Sequence, residues 1–241
     1  MFCDVKFTVI SLIGIILLFF FADLVTTTSY PILFVGSVRC VSKTATSIYD
    51  NFRASNLDLT RKLITLLNKH QKAIPIVFTS TVHATNSSNA YGDTKRSAEQ
   101  LIENYSMKNG VVCWIYRLPH IFGEGCKPNY NSVVSTWIYN AILDLEINVF
   151  NRDVKMTYCY VQDIIEQFSR HLVSQENHNN IYCAPSNTYD TTLGEVVDII
   201  NGFKNQSSDC SKNVNVEFKG KLKQTYQWYS DKYTRQANNV I

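Results

Sequence analysis

The sequence predicts an α/β fold, a doubly wound parallel sheet with helices on both faces. Apolar runs without polar alternation recur at Ile32–Val38, Ile76–Phe78 and Val111–Tyr116, as expected of strands buried on both sides. Amphipathic stretches with their own start and stop residues lie between these runs. Strand–helix–strand order leaves the carboxyl ends of neighbouring strands on one edge, where open sheets of this kind hold ligands.

The first run ends near Gly36, which either turns the chain or lets backbone approach a ligand closely. Ser55 or Asn56 then caps a helix running to Lys69, with Leu59, Leu63, Leu66 and Leu67 as its apolar stripe. Lys69, His70 and Lys72 complement its negative end, Pro75 stops it, and His70 reads as a solvated helix-end residue. The next strand closes with Thr79, Ser80 and Thr81, and a polar turn leads into a helix opened by Tyr91-Gly92-Asp93-Thr94-Lys95. That helix continues to Asn109 with Ala98, Leu101, Ile102 and Tyr105 inward, and Gly110 is its C-terminal cap.

Further on, Ser132 caps a helix through Leu143, whose inner side carries Val133, Trp137, Ile138 and Ala141. Lys155–Val161 reads as a strand, Asp163 begins a helix to Leu172, and Ile181–Ala184 is another strand. Thr192 and Glu195 form a capping box for a helix through Ile200, and Val214–Tyr229 is a basic, aromatic tail.

Chemistry concentrates between Ile76 and Glu99. Tyr91 and Lys95 stand one helical turn apart, so phenol and ammonium share a face. A free tyrosine titrates near pH ~10; a fixed cation beside it favours the phenolate and makes it a usable acid or base at neutral pH. Thr81, ending the strand before it, is placed to hydrogen-bond the same carbonyl oxygen that Tyr91 protonates. Tyr-x-x-x-Lys alone is a common solvated helical pair; the buried strand, hydroxyl cluster, Gly92 and helix start around it favour the catalytic reading.

These residues resemble the extended short-chain dehydrogenase/reductase family, the NAD-dependent epimerases, dehydratases and reductases of nucleotide sugars. Tyr116-Arg117-Leu118-Pro119-His120-Ile121-Phe122-Gly123 is similar to the family's second signature. Cys126-Lys127-Pro128-Asn129-Tyr130-Asn131-Ser132-Val133-Val134 resembles one subgroup, the reductase half of bifunctional capsular-polysaccharide enzymes that form UDP-N-acetyl-6-deoxy-talosamine. The resemblance spans roughly Phe34 to Tyr229 and implies a Rossmann-like fold, N-terminally incomplete, with a small C-terminal substrate lobe. Its implied division is 1–25 as an apolar N-terminal segment, 26–180 as the incomplete NAD(P) domain with an insertion at about 123–150, and 181–241 as the lobe.

By that resemblance Thr81, Tyr91 and Lys95 are catalytic. Gly36, Ser80, Tyr91, Lys95 and Pro119 bind the cofactor, NADP with NAD as the alternative, and His120, Asn129, Tyr130 and Asn131 bind a UDP-sugar. The implied activity is NADPH-dependent reduction of a 4-keto-6-deoxy UDP-amino sugar in polysaccharide or glycan precursor synthesis. Two alternatives stand beside it: a non-catalytic truncated remnant or partner subunit, and a nucleotide-sugar epimerase or dehydratase. A homodimer is admitted, and no metal is implied.

The sequence departs from the family pattern in three places. No G-x-x-G-x-x-G turn occurs to hold a cofactor pyrophosphate. His120 stands where the family usually has asparagine. The arginine expected shortly before Asp163 is absent, leaving Arg152 or Lys155 to serve a nucleotide. The bifunctional relatives also continue into a metal-binding cupin domain, whereas this chain ends at Ile241.

Bulk properties agree with a globular α/β protein: 241 residues, 45% hydrophobic and 18% charged. A net charge of +3 with scattered basic residues gives no case for nucleic-acid binding. The 7 cysteines form no C-x-x-C and read as reduced thiols, with Cys113, Cys159 and Cys183 in apolar runs. Phe7–Ala22 is uncharged and apolar, short of the ~20 residues of a membrane span. It reads as a signal or anchor, as a fully buried element, or as a miscalled start replacing the first Rossmann unit. The expected location is the cytoplasm, with membrane association through residues 7–22 as the alternative.

Overall fold

A computed structural model describes residues 33–35, 49–50, 52–86, 89–130, 132–174, 181–205 and 215–238. Gly36, Asn131 and the apolar segment 7–22 lie outside the described residues. Two compact units divide the chain, the first within Met1–Leu118 and Gln167–Pro185, the second within Pro119–Glu166 and Ser186–Ile241.

The first unit is built on a parallel sheet in the order β1-β2-β3-β6 (Leu33–Val35, Ile76–Thr81, Cys113–Leu118 and Tyr182–Cys183). The β2–β3 register runs unbroken from Ile76↔Cys113 to Thr81↔Leu118. Nearly every residue of β2 and β3 is buried, which explains the absence of polar alternation in their sequences. Helix α1 (Leu59–Lys69) and helix α2 (Ala90–Asn109) supply the other layer of the core. There Leu63, Leu67, Ala98 and Ile102 pack with Ile76, Phe78 and Ile115. Tyr105 anchors the base of α2, its hydroxyl accepting the Ile74 amide at 2.9 Å. Gly110 ends α2 at φ 62°, a left-handed cap that suits glycine.

Two readings of α1 change in the structure. Ser55 and Asn56 do not cap it: Arg53–Asp58 is a π-helical stretch that runs into α1, with Asn56 buried inside it. The apolar stripe is also narrower, because Leu66 is 43% exposed while Leu63 and Leu67 are buried.

The second unit carries a three-stranded sheet, β4-β5-β7 (His120–Phe122, Lys155–Tyr160 and Tyr189–Thr192). The β4–β5 pair is parallel and the β5–β7 pair antiparallel. Helices α3 (Val133–Ile142), α5 (Leu193–Lys204) and α6 (Val216–Asn238) pack a core of Phe122, Trp137, Ile138, Val196, Ile200, Phe218 and Tyr229. Ser132 caps α3 through the Ser135 amide, and the Thr192–Glu195 capping box is present with both of its bonds. Trp137 serves packing, and Val134 rather than Val133 faces the core, since Val133 is 43% exposed. The basic, aromatic tail forms α6, whose Lys221 ammonium bonds Asp163, Tyr189 and Glu217. Helix α4 (Val161–Ser174) follows β5. Cys113, Cys126, Cys159 and Cys183 are free thiols, with Cys113 and Cys159 buried. Among the described residues no helix is long and apolar enough to cross a membrane.

Candidate active site

Thr81 ends β2 in extended backbone, and its hydroxyl accepts the His83 amide at 3.3 Å to open a short 3₁₀ turn, Val82–Ala84. Asn89 caps α2 by accepting the Gly92 amide at 2.8 Å. A Cβ on Gly92 would lie 2.5 Å from the carbonyl oxygen of His83. Glycine therefore allows the first turn of α2, with Tyr91 on it, to rest against the turn that follows Thr81. Gly92→Ala must push these backbones apart, at an expected cost of about 1–2 kcal/mol in stability, read by urea unfolding.

Tyr91 is half-buried, its ring 5.4 Å from that of Phe52. One turn on, Lys95 is 1% exposed, and its ammonium donates to the Thr79 carbonyl at 2.6 Å and lies 4.9 Å from the Phe78 ring centre. Burial pulls its pKa from the usual lysine range down to about 7, against the charge of Glu99, which favours the protonated form. Sequence reasoning took this lysine as a fixed cation; in the structure its burial holds the ammonium well below the usual lysine range.

Behind Lys95 is a cluster that sequence reasoning missed. Glu99, fully buried, accepts from Arg117 twice (Nε 3.0 Å and Nη2 2.8 Å), from Ser80 Oγ at 2.5 Å and from Tyr182 OH at 3.3 Å. Arg117 also stacks on the Tyr182 ring, 4.2 Å from its centre. It is the ion-pair partner of Glu99, and the hydroxyl of Ser80 is turned to the same carboxylate. A signal existed: Tyr91, Lys95 and Glu99 follow one another at helical-turn spacing. Asn56 was missed too, having been read as a cap. Its amide donates to Thr94 Oγ1 at 3.0 Å, and its Oδ1 is buried with no partner among the described residues. The π-helical stretch thus braces the helix turn between Tyr91 and Lys95, and such stretches recur at functional sites.

The other sequence-predicted residues lie in the second unit. His120 begins β4, exposed, with its ring 6.0 Å from that of Tyr158, and Pro119 precedes it. Asn129 holds a left-handed backbone (φ 57°), its amide donating to Thr136 Oγ1 at 2.9 Å, and Tyr130 is 49% exposed. Arg152 is engaged with Asp198 at 2.7 Å, and Lys155 is exposed at the start of β5.

The first unit thus sets a helix carrying Tyr91 and Lys95 against the hydroxyl-ended strand β2 of a parallel sheet. The chain belongs to the NAD-dependent epimerase/dehydratase family, whose profile matches residues 27–184. A UDP-2-acetamido-2,6-beta-L-arabino-hexul-4-ose reductase of Pseudomonas aeruginosa is 30% identical over 65% of this chain and 41% of its own length. The capsular polysaccharide assembling protein CapF of Staphylococcus aureus superposes with a TM-score of 0.68 at 30% identity, covering 83% of this chain and 52% of that one. The UDP-glucuronic acid 4-epimerase of Bacillus cereus, solved with NAD, shares the fold with a TM-score of 0.69 at 15% identity. The chain spans about half the length of the Pseudomonas aeruginosa reductase and the Staphylococcus aureus protein, 41% and 52%.

Proposed function

We propose that this chain is the reductase portion of an enzyme that reduces the C4 ketone of a 4-keto-6-deoxy UDP-amino sugar, in precursor synthesis for a polysaccharide or glycan. The observation that carries the reading is the buried Lys95 ammonium, bonded to Thr79 two residues before Thr81 and one helical turn from Tyr91. The likeness to a UDP-sugar 4-ulose reductase supports the substrate class.

The nicotinamide end of the cofactor suits the donors present. Lys95 carries three N–H groups and spends one on Thr79, so its remaining donors fit ribose hydroxyls. The cofactor, when bound, supplies hydride to the sugar carbon. Tyr91 delivers the proton to the ketone oxygen, Thr81 holds that oxygen by its hydroxyl, and Lys95 in its charged form favours loss of the Tyr91 proton. His120, Asn129, Tyr130 and Asn131 bind the sugar nucleotide, whose hydroxyls and phosphate oxygens match their amides, imidazole and phenol. Gly36, Ser80 and Pro119 border the cofactor. Such substrates place the work in the cytoplasm.

Tyr91→Phe is expected to lower ketone-dependent NADPH oxidation by at least about 100-fold with an unchanged unfolding midpoint. Unaltered turnover ends this mechanism. A second reading, a non-catalytic partner subunit, is favoured by one feature: the sequence has no glycine-rich turn for the pyrophosphate. Fluorescence titration with NADPH separates the two. Saturable binding supports the reductase, and its absence supports the partner subunit.

A further inference from the structure

Lys95 is buried, and among the described residues its ammonium has one hydrogen bond, to the Thr79 carbonyl. Its place and its charge must therefore be held by something else. The titratable and charged groups on the elements around it are Tyr91, Asp93, Arg96, Glu99, Glu103, Tyr105 and Lys108 on α2, Cys113, Tyr116 and Arg117 on β3, Tyr182 and Cys183 on β6, and His83 in the turn after β2. The π-helical stretch adds Arg53 and Asp58, which pair with each other at the surface. Glu99 is the one whose charge acts on Lys95, and it lies one turn further along the same helix face.

Arg117 closes on Glu99 with a two-pronged bond, and the strand register sets Arg117 directly beside Ser80, whose hydroxyl reaches the same carboxylate. One buried carboxylate thus ties the face carrying Tyr91 and Lys95 to the ends of β2, β3 and β6.

We propose that Glu99 and Arg117 form a positioning pair for Lys95: Glu99 supplies the countercharge for the buried ammonium, and Arg117 limits how much of that charge Lys95 feels. The proposal rests on the reading of Lys95 as part of the reductive site. It has a distinctive consequence. The two members of one ion pair act on Lys95 with opposite sign, whereas a merely structural pair would disturb it the same way from either side.

The test is a titration of the whole protein labelled with ¹³C-lysine, following the Lys95 Cε–Hε resonance assigned by its loss in Lys95→Arg. Glu99→Gln is expected to lower the Lys95 midpoint by about one pH unit, since a countercharge is gone. Arg117→Gln is expected to raise it by a similar amount, since Glu99 is no longer neutralised, and the double variant falls between the two. Shifts in the same direction, or none, overturn the proposal. Should Arg117→Gln fail to fold, Arg117→Lys keeps the charge while breaking the fork and must leave the midpoint in place; a shift there overturns the proposal equally. The pH profile of ketone reduction is then recorded for Glu99→Gln. A profile that follows the Lys95 midpoint supports both ideas. Resonances that move as expected beside an unmoved profile keep the pairing and refute the role of Lys95 in the reaction.

Discussion

Arg117→Ala is expected to lower the free energy of unfolding by about 3–5 kcal/mol, measured by urea denaturation at neutral pH. The reason lies in what stays behind. The Glu99 side chain has no solvent exposure, and Arg117 makes two of the hydrogen bonds that satisfy it. With the guanidinium removed, the buried carboxylate keeps the Ser80 and Tyr182 hydroxyls but loses its hydrogen-bonded cation, and only the Lys95 ammonium one turn away remains to offset its charge. Hydroxyls can orient toward a charge; they cannot neutralise it. Arg117 is 23% exposed along its side chain, so water screens part of the pair, and the lower half of the range is the better expectation. The double variant Glu99→Gln with Arg117→Ala should be more stable than Arg117→Ala alone, because it removes the stranded charge. Equal losses in single and double variants would mean that Arg117 contributes by packing on Tyr182 rather than by charge.

That cluster marks where the sequence stopped being legible. The parallel sheet could be read because continuous burial leaves no polar alternation, and β2 and β3 lie within two residues of their expected positions. The caps at Gly110, Ser132 and the Thr192–Glu195 box could be read because each depends on residues a few positions apart. The Ser80–Glu99–Arg117–Tyr182 cluster could not, since it needs the β2–β3 register and the β3–β6 pairing, both long-range facts. Face assignments failed where an apolar residue sat beside the true inner position, as with Val133 beside Val134 and Leu66 beside Leu67. Periodicity fixes a face only to within about one residue when neighbours are equally apolar. Asn56 misled for another reason: asparagine favours caps, and nothing local distinguishes a cap from a residue buried in a π-helical stretch.

Lys95→Met is expected to make the protein more stable while abolishing any reductase activity, and the gain should depend on pH. The amine is fully buried, and its pKa falls from 10.5 in the unfolded chain to about 7 in the folded one. Between those values the unfolded chain holds a proton that the folded chain has lost, so wild-type stability rises with pH across that window. Below about pH 7 both states carry the charge and the full penalty of burying it is felt. Methionine fits the same volume without that penalty, though it forfeits the bond to Thr79 and the contact with Phe78. At pH 6 the net gain should be roughly 2–4 kcal/mol, shrinking toward zero or below as the pH approaches 10. Urea unfolding of both proteins across that range checks the slope, and a pH-independent difference would refute the burial cost.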